Sequence, residues 1–299
     1  MLTRVTSQTM VRSAHHNLQG SMTALAKLQD KAMTLQKISR PSDDPSGAAN
    51  SMRVRGEQRL QEQYARNITD GLGWLTTIES ALATTTNLLR QARDLTVQGA
   101  NDGSLSATAK EAIAVKLASL KDELLNQANT KFQGRTVFAG NTDVGAAFGI
   151  DPVTGVAYSF TGNSSTVERR VGAETTVRVD ANGADVFGDG PGSVFALIDT
   201  IVADLRSGVN IGPRLTEIDD RMSAILGQHG AVGARHAQLL RAEEMNMEQS
   251  GALEAQRSEI EDADLGKLIL ELKLQEVTYQ STLAVTARVL QPTLMDFLR

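Results

Sequence analysis

The sequence predicts a mainly α-helical protein: an elongated helical coiled-coil rod built from the N- and C-terminal segments, with a small β-rich domain inserted in the middle. Both ends of the chain repeat apolar side chains at alternating steps of three and four residues, the spacing of a coiled-coil seam. The middle is rich in Gly, Val, Thr and Asp and alternates polar with apolar positions, as strands do. Aromatic residues make up only 4% of the chain, which favours thin, elongated packing over a broad core.

Residues 4–38 are predicted to form one amphipathic helix with a continuous apolar row. That row consists of Leu18, Ser21, Leu25, Leu28, Ala32 and Leu35. A matching row near the C-terminus consists of Ile269, Leu272, Glu276, Tyr279, Leu283, Thr286, Leu290, Thr293 and Phe297. Isolated helices are marginal in water, and covering one Leu or Ile side chain contributes roughly 1.5–3 kcal/mol. We therefore expect another helix to cover each row.

We predict that the two ends pair with each other and with neighbouring copies of the chain, so that the protein is a building block. The predicted assembly interface comprises the large side chains of both rows: Leu18, Leu25, Leu28, Leu35, Ile269, Leu272, Tyr279, Leu283, Leu290 and Phe297. Burial of the same rows inside one monomer is the alternative. The polar members Glu276, Thr286 and Thr293 are either tolerated at partly exposed positions or set register and partner choice.

A turn and a much longer helix follow the first one. Because a proline keeps its predecessor out of the α region, Pro41 ends the first helix. Asp44 is suited to cap the next helix, Pro45 suits its first position, and Asp43 adds negative charge near its positive end. This second helix is predicted to run to about Ala100, far beyond the roughly three turns of an average globular helix.

Three further helices are predicted. One begins at the capping-box sequence Thr108-Ala109-Lys110-Glu111 and runs to about Asn129. A short helix covers about 194–207. A long helix starts near Pro213 and runs to the C-terminus, with a bend at 227–233.

The β-rich stretch between these helices extends from Thr136 to about Gly192. Alternation predicts strands through Val156, Tyr158 and Phe160, and through Val177 and Val179. The sequences at 151–155 and 180–183 are predicted turns, with glycine at or near the position that needs a positive φ.

These elements divide the chain into five predicted segments. They are an N-terminal inner coiled-coil helix (1–44), the first part of a helical rod (45–140), the β-rich insert (141–192), the return part of the rod (193–260) and a C-terminal inner coiled-coil helix (261–299).

Residue types that carry catalysis do not form a recognisable motif in this sequence. The chain has no cysteine, which excludes disulfides, thiolate zinc sites and cysteine nucleophiles. Walker A, zincin and nucleophile-elbow sequences are also missing. His15 and His16 are adjacent and His229 and His236 are seven residues apart, so neither pair is placed to share one ion. We therefore predict no enzymatic activity, no cofactor and no metal.

Charge and hydropathy exclude other classes of partner. The net charge is −5 and no block of like charges occurs, which argues against nucleic-acid binding. No stretch approaches 18 consecutive apolar residues, so no membrane insertion is expected. The first twenty residues lack the apolar core of a secretory signal, so no cleaved signal peptide is expected.

Several separated segments resemble the bacterial flagellin and hook-associated family. They are 21–49 with its PSDDPSGAA turn, 67–101 with Arg-Asp-Leu-Thr-Val-Gln, 120–140, 258–267 and the final QPTLMDFLR. The resemblance covers roughly residues 1–145 and 195–299. One departure is that Leu35-Gln36-Lys37-Ile38 lacks the glycine expected before the basic residue.

The resemblance implies a structural protein of the extracellular flagellum, exported unfolded through the type III apparatus while a cytoplasmic chaperone holds its C-terminal helix. The PSDDPSGAA turn, the GRTVFAGNTDVGAAF stretch and the short insert ending ADVFG favour an adaptor that joins the hook to the filament. Its implied partners are other copies of itself in a ring, hook-associated protein 1 and flagellin. The alternatives are a short flagellin and, from the coiled-coil pattern alone, a cytoplasmic scaffold.

Overall fold

The computed structural model describes residues 7–101, 105–142, 144–149 and 157–290. Its elements are α1 (Ser7–Thr34), α2 (Pro45–Ala100), α3 (Ala107–Ala128), β1 (Lys131–Phe132), β2 (Arg135–Thr136), β3 (Phe148–Gly149), β4 (Ser159–Phe160), β5 (Glu168–Arg170), β6 (Thr176–Arg178), α4 (Gly183–Phe187), α5 (Val194–Ser207), α6 (Arg214–Glu261) and α7 (Leu265–Leu290). Among the described residues, no helix has the length and apolar character needed to cross a membrane.

The chain divides into two compact units. The terminal unit comprises Met1–Arg59 and Ser250–Arg299, and the central unit comprises Leu60–Gln249. The mainly α-helical class predicted from the sequence is confirmed, because helices dominate both units and the strands are two or three residues long.

The terminal unit consists of two antiparallel helix pairs. In the first pair, Gln275 Nε2 on α7 donates to the Ser21 carbonyl and hydroxyl oxygens on α1, at 3.2 and 3.1 Å. Near the other end of the pair, the Ala263 N–H donates to the Leu35 carbonyl oxygen at 2.9 Å. In the second pair, the start of α2 lies beside the end of α6, where Gln58 Nε2 donates to Glu254 Oε2 at 2.9 Å.

The central unit has a continuous apolar core shared by α2, α3, α5 and α6. Buried positions on α2 follow a strict heptad seam, and those on α6 recur every seven residues. The α2 seam is Leu75, Ile78, Leu82, Thr85, Leu89, Ala92 and Thr96, and the α6 row is Ile218, Ile225, Val232, Leu239 and Asn246. Asn246 is satisfied in this row because its Nδ2 donates to the Gln61 carbonyl and side-chain oxygens.

A cluster of aromatic rings fills the interior of the insert. Phe138, Phe148, Phe187 and Phe195 are buried, and their ring centroids lie 5.3–5.7 Å apart where they meet. Mostly tilted or edge-on pairs at this distance are favourable contacts. The few aromatic residues of the chain are therefore concentrated where the short strands need a core.

The strands form three two-stranded antiparallel sheets, β1–β2, β3–β4 and β5–β6. Such small sheets are marginal alone, and polar side chains anchor them to the helices. Asn129, at the end of α3, accepts from the Ala147 and Phe148 amides at 2.7 and 2.9 Å. Arg235 on α6 donates to the Asp180 carbonyl oxygen at 2.7 Å, and the buried Asp180 carboxylate accepts from the Val167 amide at 2.8 Å.

The prediction that residues 4–38 form one helix is wrong at its C-terminal end. The helix ends at Thr34, because Leu35 adopts a left-handed conformation with φ 54° and Gln36 then forms an antiparallel bridge with Asp262. The predicted start of the second helix is confirmed, with Pro45 as its first residue.

The predicted continuous helix from Pro213 to the C-terminus is also wrong. The structure has two helices there, α6 and α7, separated by residues 262–264, and α6 runs without a break through 227–233. Asp264 accounts for the restart, because its Oδ1 accepts from the Gly266 and Lys267 amides as an N-cap does.

Two predicted local features of the middle region differ in the structure. The N-cap of α3 is Ser106 rather than Thr108, since the Ser106 hydroxyl accepts from the Ala109 amide at 3.2 Å. The sequence at 180–183 does not form a hairpin turn, because Asn182 caps α4 and its side chain accepts from the Ala184 amide.

The strand predicted through Val156, Tyr158 and Phe160 is shorter than expected. Tyr158 has φ 60°, so β4 begins only at Ser159. Val156 and the predicted turn at 151–155 lie outside the described residues. The predicted helix at 194–207 coincides with α5.

Candidate assembly interface

The α1–α7 pair is the part of the structure on which the predicted interface lies. On α1, the side towards α7 carries a row of half-buried residues: Val11, Ala14, Leu18, Ser21, Ala24, Leu25, Leu28, Lys31 and Ala32. None of the α1 side chains that the structure describes is fully buried. One partner helix therefore covers α1 on one side only.

The facing row on α7 mixes apolar and polar residues. It runs through Leu268, Leu272, Gln275, Tyr279, Thr282 and Thr286, at alternating steps of four and three. Leu268 and Thr286 are buried at its two ends, each 5% exposed, and the others are half-buried. Three polar members in six make this a weak apolar seam, in which the Gln275–Ser21 hydrogen bonds fix the register.

The structure brings five of the predicted interface residues into the contact between α1 and α7. These are Leu18, Leu25, Leu28, Leu272 and Tyr279, all half-buried. Ile269 and Leu283 lie on the flank of α7 and are 48% and 40% exposed, and Leu35 is 47% exposed beyond the end of α1. Leu290 ends α7, but its side chain lies outside the described part of the chain, as does Phe297 altogether. The involvement of these ten residues in assembly between copies remains a prediction.

The sequence analysis missed a second apolar row on α7, on the side away from Leu268. Leu270, Leu274, Val277 and Val285 are 71%, 68%, 60% and 60% exposed. At 100° per residue these four positions share one side of the helix. Their spacing of four, three and eight residues could have identified this row from the sequence. The row through Leu272 and Tyr279 is more regular and was therefore taken as the apolar side of the helix.

Large apolar side chains on two exposed sides of one helix leave much apolar surface in water. Soluble monomers rarely expose contiguous patches of this kind unless they bind a protein or a membrane. The arrangement is chemically suited to packing against further helices.

Polar groups at the start of α2 and the end of α6 stabilise the α1–α2 turn and the break between α6 and α7. Asp44 caps α2, and hydrogen bonds from the Gly47 amide and the Ser46 hydroxyl lower its pKa. The Glu261 carboxylate at the end of α6 accepts hydrogen bonds from both Nε and Nη2 of Arg55 on α2, at 2.7 and 2.8 Å. Its hydrogen bonds from Arg55 and Ser51 hold the pKa of the Glu261 carboxyl below its usual range.

Groups that suggest chemistry are not gathered at a site. Within residues 7–101, 105–142, 144–149 and 157–290, no three His, Asp or Glu side chains are grouped to hold a metal ion. His236 Nδ1 lies 3.0 Å from Glu79 Oε2, which is an ordinary pair between α6 and α2. The Lys121–Asp199–Tyr158 cluster, with distances of 2.8 and 2.5 Å to Asp199, ties α3 and the insert to α5.

Comparison with known proteins agrees with this architecture. Residues 5–143 match the family model described as the bacterial flagellin N-terminal helical region. The chain is 27% identical to flagellin of Bacillus subtilis over 293 residues, covering 92% of each protein. It is 23% identical to flagellar hook-associated protein 3 of Salmonella typhimurium over 305 residues, covering 93% of this chain and 94% of that protein.

The chain thus carries the flagellin N-terminal helical region and is similar over more than nine tenths of its length to members of the bacterial flagellin and hook-associated protein family. This family consists of structural components of the bacterial flagellum, an extracellular structure. The resemblance inferred from the separated sequence segments is thereby confirmed.

Solved structures of family members share the fold. A flagellar hook-associated protein from Vibrio parahaemolyticus superposes with a TM-score of 0.67 at 24% identity, covering 74% of this chain and 100% of that one. Hook-associated protein 3 from Legionella pneumophila superposes with a TM-score of 0.63 at 17% identity, covering 70% of this chain and 98% of that one. Both proteins therefore share the fold of this chain over 70–74% of its length.

Proposed function

We propose that this protein is a structural adaptor that joins the hook of the bacterial flagellum to its filament and assembles through its terminal helices. The observation that carries the proposal is the relationship to hook-associated protein 3, which covers 93% of this chain and 94% of that protein. The shared fold of hook-associated structures, matched over 98–100% of their length, supports it.

The exposed apolar rows of α7 supply the means of assembly. Each covered Leu or Val would contribute roughly 1.5–3 kcal/mol before ordering costs, so a few such contacts stabilise one subunit in a ring. Before export, a cytoplasmic chaperone would cover the same rows. Other copies of the chain, hook-associated protein 1 and flagellin are the proposed partners, and no catalytic activity is proposed.

A short flagellin is the second candidate, because flagellin of Bacillus subtilis is related to 92% of this chain. An adaptor adds one layer to the hook, whereas a flagellin polymerises on itself. Incubating purified protein with filament seeds separates them. The adaptor proposal predicts that no filament grows, and growth of long filaments would contradict it.

The role of the terminal helices is tested by one substitution on α7. Leu283→Asp places a charge on the exposed flank and is expected to abolish incorporation at the hook while the central unit stays folded. Gln280→Asp, at an exposed polar position of the same helix, is the matched control and is expected to incorporate normally. Normal motility and occupancy of the junction in the Leu283→Asp variant would contradict the proposal.

A further inference from the structure

In the central unit, α2 and α6 run antiparallel, and two side-chain contacts show which residues lie at the same level. Arg93 Nε of α2 donates to Asp219 Oδ1 of α6 at 2.6 Å. His236 Nδ1 of α6 lies 3.0 Å from Glu79 Oε2 of α2. Both helices rise equally per residue, so Thr85, between Glu79 and Arg93, lies at the level of residues 227–230 of α6.

Thr85 carries a buried hydroxyl group that has no hydrogen-bond partner among the described residues. Its side chain is inaccessible to solvent, and no donor or acceptor of the described chain bonds its Oγ1. Other threonines of α2 donate their hydroxyl to the carbonyl oxygen four residues earlier, namely Thr69, Thr77, Thr84, Thr86 and Thr96. A buried polar group left unpaired keeps its desolvation penalty until water reaches it. Opening at Thr85 is therefore less unfavourable than at an apolar position of the seam.

Three glycines of α6 lie at or next to this level, at positions 227, 230 and 233. A Cβ added at Gly227 or Gly230 would meet no atom within 4 Å, and one at Gly233 would meet Glu79 Oε1 at an ordinary 3.8 Å. None of the three has a positive φ. Neither close packing nor backbone geometry requires glycine there, in contrast to Gly99 of α2, where a Cβ would lie 2.9 Å from a side-chain carbon.

These glycines weaken the helix in which they lie. A glycine inside a helix lowers the ratio of helical to open states about four- to fivefold relative to alanine, because it loses more backbone freedom. Three glycines within about two turns lower that ratio about a hundredfold. Ile225 and Val232 are buried on the core side of the same stretch. Packing of these side chains, rather than helix propensity, therefore keeps α6 helical through 227–233.

No polar contact ties α2 to α6 at this level. The structure describes all of α2 from Glu79 to Arg93 and all of α6 from Asp219 to His236. Within these two stretches, the hydrogen bonds and ion pairs between the helices are those of Arg93 with Asp219 and of His236 with Glu79, at their ends. The level of Thr85 therefore depends on apolar packing alone.

We propose that the central unit has an opening site within its α2–α6 pair, formed by Thr85 and residues 227–233 of α6. Helix turns at this site open to solvent more often than the α6 turns that follow it, while the rest of the unit stays folded. Both features favour the same open state, because water then reaches the Thr85 hydroxyl and the glycines regain their freedom. The site is a property of the single chain and does not depend on the proposed function.

Hydrogen exchange of the full-length chain, resolved along α2 and α6, tests the opening site. Protection factors divide each exchange rate into the intrinsic rate, so they report the opening of each stretch. In the wild type, amides 228–234 are expected to have protection factors at least about tenfold lower than amides 239–246, which belong to the same helix and unit. Equal protection of the two stretches would overturn the proposal.

Two variants are expected to close the site. The double change Gly227→Ala and Gly230→Ala should raise the protection of 228–234 about twentyfold. Thr85→Val keeps the branched shape and removes the hydroxyl, and it should raise protection about tenfold on both α2 and α6 at this level. Thr86→Val is the matched control, because the Thr86 hydroxyl already bonds the Leu82 carbonyl oxygen.

The control Thr86→Val is expected to give no gain in protection at the site. Gly251→Ala, at a second α6 glycine with open space around its Cβ, should leave amides 228–234 unchanged. A gain in Thr85→Val that is confined to α2 would overturn the proposal, because the two features would then not share one opening. An equal gain in every stretch of the central unit would also overturn it, since exchange would then proceed through global unfolding.

Discussion

The terminal and central units are built from the same kinds of helix but bury their apolar side chains to very different degrees. In the central unit, Leu75, Leu82 and Leu89 are inaccessible to solvent, whereas in the terminal unit Leu270 and Leu274 are 71% and 68% exposed. Four helices surround the core of the central unit, while each terminal helix has one principal partner. The central unit therefore completes its packing within one chain, and the terminal unit leaves packing to be completed by other molecules.

The largest expected effect lies in the central unit. Leu89→Ala removes a fully buried side chain from the α2 seam and is expected to lower the free energy of unfolding by about 2–5 kcal/mol. Urea denaturation followed by circular dichroism measures this. Leu274→Ala on α7 is the comparison and is expected to change the same quantity by less than about 0.5 kcal/mol. Equal losses in the two variants would remove the distinction between the units.

For assembly, in contrast to stability, we expect a substitution in the terminal unit to have a large effect. Leu274→Asp should leave the unfolding midpoint of the purified chain unchanged but reduce incorporation into flagella, since a covered Leu contributes roughly 1.5–3 kcal/mol per contact. Counting labelled protein in sheared flagella provides the measurement, with Gln280→Asp as the control. Wild-type incorporation of Leu274→Asp would show that the second apolar row of α7 is not an interface.

Acid is expected to weaken the terminal unit through Glu261. Its pKa is held below the usual value by Arg55 and Ser51, so this group binds fewer protons folded than unfolded. The stability it contributes is fully present above its unfolded pKa and is lost as the pH falls through the lower folded pKa. The protection factors of the α1 amides, in which each exchange rate is divided into the intrinsic rate at the same pH, should therefore fall from pH 5 to pH 3 more steeply in the wild type than in Glu261→Gln. Parallel pH profiles would contradict this linkage.

The smallest expected effect concerns Leu35. Glycine adopts the left-handed region without a steric penalty, so Leu35→Gly is expected to stabilise the end of α1 by about 0.5–1 kcal/mol, net of the extra freedom of the unfolded chain. Thermal unfolding of the terminal unit measures the gain, and Gln29→Gly within α1 is the control that should destabilise. A loss of stability in Leu35→Gly would mean that the side chain contributes more than the strain costs.

The sequence was sufficient to predict the helical class and the ends of α2, because periodicity and capping residues are local signals. Asp44 before Pro45 marks the start of α2 whatever surrounds it. The break at 262–264 was not predicted because the apolar spacing continues on both sides of it. Only Asp264, which caps the start of α7, indicates that a new helix begins there.

The side of α7 that faces α1 was harder to predict for a different reason. The facing row includes Gln275, Thr282 and Thr286, while the exposed rows include Leu270, Leu274 and Leu283. Hydrophobicity alone therefore favours the exposed sides. The side of α7 that faces α1 also carries the hydrogen bonds of Gln275 with Ser21, and these residues are 254 positions apart in the sequence. Contacts between such distant residues cannot be read from local spacing.

That separation also sets the order of events during synthesis. A ribosome that has just released α1 must add more than two hundred residues before α7 is available to cover it. Contacts so distant along the chain form slowly and only after the intervening segments exist. During translation the α1 segment is consequently uncovered, so it is accessible to solvent and to any factor that binds nascent chains.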